Sequence, residues 1–262
     1  MTLAYGTAAI LFALSLYRPR LRPAAFGATS LGFIFNTLAL GGQVLALHRL
    51  PLVNLFESAL LLAWVSVLLY LGFSRGQRVG VVGTFLLPAV AIVGLVAFFL
   101  PRGGPGLPPI LQSPWLFFHA SSGLLAYGAF SLGCILSGTY LLQESQLRRK
   151  RFYIFYHRLP PLEVLEQSSY RLNVAGFLAL TLSIVFGSLW AETAWGAYWQ
   201  WDPKQTWSLI TWLFYAGYLH ARNLSGWKGR RAMYLAGLGF LSAIINITIV
   251  PWFFRSIHLF PY

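Results

Sequence analysis

Long apolar runs follow one another along the whole of this sequence, near residues 2–17, 26–47, 53–73, 79–100, 115–142, 170–190, 204–222 and 232–253, each bounded by charge or by Pro and Gly. A helix needs about 20 mostly apolar residues to cross about 30 Å of hydrocarbon. The pattern therefore predicts an all-α polytopic membrane protein of about eight transmembrane helices, forming a single domain over residues 1–262. Of the chain, 57% is apolar or aromatic and 10% is charged, which excludes an ordinary soluble enzyme and leaves little for an extramembrane domain. The first run is read as a helix rather than a cleaved leader, because no basic residue precedes it and no small-residue cleavage site lies before Arg18.

Eight crossings put both termini on one side, and the basic residues say which. Lys and Arg accumulate in short cytoplasmic loops. Fifteen of the 19 fall in one set of connections, among them Arg18, Arg75, Arg148, Lys150, Arg158, Arg222 and Arg231. The opposite set holds only Arg49, Arg102, Lys204 and Arg255. The termini, the 48–54 and 101–114 connections and the segment after residue 190 are thus expected outside, with a basic loop over 143–169 in the cytoplasm. The net charge of +13 serves orientation and not nucleic-acid binding. Cys134 is the only cysteine, so there is no internal disulfide, CxxC pair or CxxCH haem-attachment sequence.

Six of the ten tryptophans lie within 23 residues: Trp190, Trp195, Trp199, Trp201, Trp207 and Trp212. An interfacial belt places one or two aromatics at each helix end. A concentration in one outer segment, with Gly196, Asp202-Pro203 and Lys204, instead suits a large, flat, apolar ligand whose polar edge meets indole N–H groups and a cation. Asp202 also has the chemistry of a helix cap, with Pro203 at the first helical position.

The histidines narrow the ligand. His119 lies about one turn inside the fifth run and His258 just past the last, both at the depth of the tryptophan segment. Two neutral imidazoles on opposite faces complete six-coordinate haem iron. His220 is 16 residues beyond Lys204, about 24 Å along a helix, so it cannot share that iron. It is either an interfacial histidine reaching water or the ligand of an inner site, and sequence physics leaves the two equal. His48 and His157 read as solvated. Glu57 is costly in lipid and is expected to face the bundle, hydrogen-bonded or protonated, in a structural or a catalytic role.

The run Trp195-Gly-Ala-Tyr-Trp199-Gln-Trp201-Asp202-Pro-Lys204 resembles the tryptophan-rich WWD signature of haem-handling membrane proteins. With Thr206-Trp207 through Trp212 to Tyr218-Leu-His220-Ala-Arg222, Leu111-Gln-Ser-Pro-Trp115-Leu-Phe-Phe-His119, Pro51-Leu-Val-Asn54-Leu-Phe-Glu57-Ser58 and His258, the chain looks most like the CcsA/ResC family of System II cytochrome c biogenesis. The resemblance covers most of the chain from residue 51. It implies that haem b is presented outside on the WWD segment, residues 190–207, where thiols of a CxxCH apocytochrome c add to its vinyl groups. It matches His119 and His258 to the external axial ligands and His220 to the transmembrane haem ligand. It implies a CcsB/ResB-type membrane partner that supplies the opposing inner ligand. Position 205 is Gln where related sequences commonly carry Glu, and the approach to His258 is less glycine-rich than usual.

On this reading the protein positions and the cofactor carries the chemistry. Trp195, Trp199, Trp201 and Trp207 hold the macrocycle, Lys204 or Arg255 meets the propionates, and no residue is a covalent catalyst. The rival readings are a haem exporter without an attachment role and a cytochrome b-like electron carrier. The same-face pair His119 and His258 favours retention over rapid release, and only His220 is deep enough to begin a cytochrome b-like pair. The excess of Arg over Lys points to a GC-rich bacterial genome, and so to a bacterial inner membrane in preference to a thylakoid.

Overall fold

The computed structural model describes residues 1–52, 54–76, 80–101, 111–150 and 158–253. Among them there is no strand, and eight helices have 14 residues or more: α1 (Thr2–Ser15), α2 (Arg22–Leu47), α3 (Leu55–Gly76), α4 (Gly83–Phe99), α5 (Pro114–Arg148), α6 (Leu162–Trp195), α7 (Pro203–Asn223) and α8 (Arg230–Ile244). A π-helical turn, Ile245–Ile249, and a short helix α9, Val250–Phe253, continue α8. Five stretches are long and apolar enough to cross a membrane: Pro19–Leu47, Leu55–Ser74, Pro114–Arg148, Leu162–Trp195 and Arg230–Ile249. Helices α1 and α4 are apolar but shorter. Large side chains such as Leu3, Leu45, Phe98 and Phe253 stand exposed, as lipid-facing positions must in a polytopic membrane protein.

Helices α5 and α6 are longer than the apolar runs within them. Helix α5 continues through polar Gln143–Arg148, and α6 begins at Leu162, eight residues before its apolar run. The extra turns are stabilised by pairing: Ser137 and Ser169 hydroxyls meet at 2.9 Å, and Arg148 donates to Glu144 at 2.9 Å. Much of 143–169 is thus helical, and the connection after α6 shrinks to residues 196–202.

The chain forms two compact units. The first, Met1–Pro105 with Ile135–Ser169, packs α1 against both α2 and α4, and α3 against α4. Gly32 makes the α1–α2 approach possible, because a Cβ there would lie 2.7 Å from the Tyr5 ring. Phe12, Phe26 and Tyr70 form one aromatic cluster, with Phe26 stacked on Tyr70 at 6.0 Å.

Glu57 belongs to the start of α3 in this unit and is 2% exposed. Asn54 accepts the Glu57 backbone N–H at 2.8 Å and donates its amide to the Glu57 carboxylate at 3.1 Å. Arg49 grips the same carboxylate through two bonds of 2.9 and 2.8 Å. The carboxylate is therefore paired, and these bonds tie the α2–α3 connection to the first turn of α3. Asn54→Ala removes this cap, and a loss of about 1 kcal/mol is expected, readable as a lower detergent-phase melting temperature without loss of helicity.

The second unit, Gly106–Cys134 with Tyr170–Tyr262, packs α7 against α8. Phe130 of α5 stacks on Tyr215 of α7 at 3.6 Å, and Gly239 of α8 lets Tyr215 approach, with a Cβ there 3.0 Å from the ring. Trp212 donates to the Thr181 hydroxyl at 2.9 Å, joining α7 to α6.

Candidate functional site

The second unit contains the residues singled out for ligand binding. Helix α5 starts at Pro114, where the Ser113 hydroxyl accepts the Trp115 N–H at 3.3 Å, and five residues later it presents His119. The imidazole is half-buried in a notch on α6. A Cβ at Gly187 would stand 2.6 Å from its Nδ1 and 2.9 Å from its Cε1, so the ring occupies space that only glycine leaves open. Nδ1 donates to the Ser183 carbonyl at 2.8 Å, and the Ser183 hydroxyl donates to the His119 carbonyl at 3.0 Å. A carbonyl only accepts, so Nδ1 carries a proton, and in the neutral form of the ring the lone pair is then on Nε2. This is the tautomer and orientation that a metal-ligating histidine takes from its supporting hydrogen bond.

Beside the ring lies an aromatic stack. Trp190 packs against His119 with centroids 6.1 Å apart and planes 23° apart, and Trp195 meets Trp190 edge-on at 4.8 Å. Trp190 is 2% exposed, so it backs the histidine instead of offering a face to a ligand. Helix α6 ends at Trp195, and Gly196 turns the chain with φ +74°. In the following loop Gln200 donates from its side chain to the Trp195 carbonyl at 3.5 Å and from its backbone to the Gln205 side chain at 3.0 Å. Contacts thus run from His119 through Trp190 and Trp195 into the tryptophan segment.

Trp199 and Trp201 are perpendicular at 5.8 Å. The Trp199 indole N–H is buried with no hydrogen-bond partner among the described residues. Trp201 is 70% exposed and has φ +55°. Asp202 caps α7, its carboxylate accepting the Lys204 N–H at 3.0 Å, with Pro203 at the first helical position. Lys204 and Trp207 are half-buried on the first turns of α7.

His220 stands exposed near the far end of α7. Arg222 lies over the Tyr170 ring at 4.6 Å, and Tyr170 donates to Asn223 at 3.2 Å. His258, Arg255 and His157 lie outside the described residues. Sequence reasoning missed Ser183 and Gly187, whose only signal is the small-residue pattern Ser183-Ile-Val-Phe-Gly187-Ser188 facing a histidine 64 residues earlier.

The family model described as cytochrome C assembly protein matches residues 52–258. The chain is 32% identical to a Cytochrome c biogenesis protein CcsA of Gloeobacter violaceus, over 92% of this chain and 87% of that protein. The chain belongs to the CcsA cytochrome c biogenesis family. CcsA proteins of Trieres chinensis and Synechococcus sp. are 33% and 36% identical, over 84% and 72% of this chain and 80% and 71% of theirs. A role in cytochrome c maturation, in the membrane, follows from membership. The family match takes in His119, the Trp195–Trp207 segment, His220 and His258.

Proposed function

We propose that this chain receives haem as its substrate and presents it at the outer membrane face for covalent attachment to apocytochrome c, as the CcsA half of a synthase with a CcsB/ResB-type partner. The observation that carries this reading is the His119 seat. The Ser183 carbonyl accepts the Nδ1 proton, which orients the ring and makes Nε2 the nitrogen with the chemistry of an iron ligand. Trp190 and Trp195 back the ring, and the buried Trp199 N–H supplies a donor for an acceptor on the macrocycle's polar edge.

In this proposal eight crossings place both termini outside, and His258 supplies the second outer axial imidazole. Trp195, Trp199, Trp201 and Trp207 hold the ring plane, while Lys204 faces the propionates. The haem is haem b, with its vinyl edge open. Each cysteine thiol then adds across a vinyl C=C, forming one C–S bond while the thiol hydrogen ends on the other vinyl carbon, with no external oxidant. The protein's contribution is proximity. The fifteen-to-four division of basic residues supports the orientation.

Co-expression with the partner and a CxxCH reporter in a host lacking its own pathway is the test. A reporter band that keeps its haem stain in denaturing gels is expected. Haem released outside with no stained band would overturn attachment in favour of export.

We also propose that His220 holds haem at an inner site, opposite a ligand from the partner. His220→Ala is expected to lower the haem that co-purifies with the complex, read from the absorption spectrum, and unchanged occupancy would return His220 to an interfacial role.

A further inference from the structure

Below the tryptophan segment, one buried amide joins three helices. Asn246 is 1% exposed and sits in the π-helical turn Ile245–Ile249. Its Nδ2 donates to the Ser208 hydroxyl of α7 at 2.9 Å and to the Tyr127 hydroxyl of α5 at 3.1 Å. Ser208 donates its own proton to the Lys204 carbonyl at 2.8 Å. That carbonyl can only accept, so the Ser208 oxygen must receive a proton from Asn246, and this fixes which way the amide points. Both amide hydrogens are thereby used, while Oδ1 has no partner among the described residues. One turn deeper a second pair, Ser242 to Thr211 at 3.2 Å, joins α8 to α7.

Two features mark Asn246 as more than packing. A π-turn costs regular helical hydrogen bonding and occurs mostly where it positions something. A buried amide left with an unpaired acceptor is retained against a stability cost. Its hydrogen bonds end on the Lys204 carbonyl, in the first turn of α7, and on α5, the helix that carries His119 two turns before Tyr127.

We infer that Asn246 is a positioning residue, which sets how the Lys204–Trp207 turn of α7 is held against α5 and so holds the outer ligand site in shape. The link to the ligand rests on the proposed haem reading; the link to the turn does not.

Two readouts separate them. In a Cys134→Ala background carrying Lys204→Cys, Asn246→Leu is expected to speed labelling by a polar maleimide by about tenfold, the size of losing two buried hydrogen bonds. Thr248→Val, an exposed change in the same turn, leaves the rate unchanged. In the partner complex without the reporter cysteine, Asn246→Leu shifts the absorption spectrum of bound haem. Should Asn246→Leu not fold, Ser208→Ala takes its place, and Ser208→Thr, which keeps the hydroxyl, restores the wild-type values. An unchanged labelling rate in a folded variant overturns the inference. If labelling speeds up but no wild-type complex holds haem, the inference stands and the haem reading fails.

Discussion

His119→Ala is expected to abolish haem retention at the outer face and to cut the yield of covalently stained reporter cytochrome by more than about 100-fold. Loss of a supporting hydrogen bond to a metal ligand costs about 10- to 100-fold, and loss of the ligand itself must exceed that. The helix survives the change, since position 119 is half-buried and alanine is a good helix former. The readouts are the absorption spectrum of the purified complex and haem staining of the reporter. Added imidazole should recover part of both by filling the vacated space. A normal stained yield in His119→Ala would remove this residue from the site.

Gly187→Ala probes the same site from across the helix pair. The added methyl would lie 2.6 Å from His119 Nδ1, well inside van der Waals contact, and the ring is tied to the Ser183 carbonyl. The ring must therefore leave its notch and break that bond. A fall of about 10- to 100-fold in haem affinity is expected, as for other losses of ligand support, with the iron ligand still present in the sequence. Gly237→Ala on α8, where a Cβ meets nothing within 4 Å, is the matched control and should leave haem binding intact. Equal affinities for the two variants would show that the notch does not orient the histidine.

The helices were legible because lipid imposes a simple rule on each run, and α2, α3, α4 and α7 begin and end within four residues of the expected spans. Helices α5 and α6 were not, because hydropathy registers only their apolar stretches. The polar start of α6 pairs with α5, as Ser169 does with Ser137, and that pairing has no periodic signature. Within the site, the capping role of Asp202 followed from position and residue type. The notch did not, since Gly187 means nothing until α6 lies beside α5. Nor did the burial of Trp190, because composition counts tryptophans without saying which face outward. Glu57 was expected to find a partner, and Arg49 could be identified only once the α2–α3 turn had brought the two within 2.8 Å.

Trp201 combines a left-handed backbone with 70% exposure, and a non-glycine residue in that region costs about 1–2 kcal/mol. Glycine there would relax the backbone, and the ring it deletes has little buried area to lose. Selection for stability alone would therefore discard this tryptophan. Under the proposed function its presence is a stability–activity trade-off, in which backbone strain is kept so that a broad hydrophobic blade stays turned toward the arriving ligand.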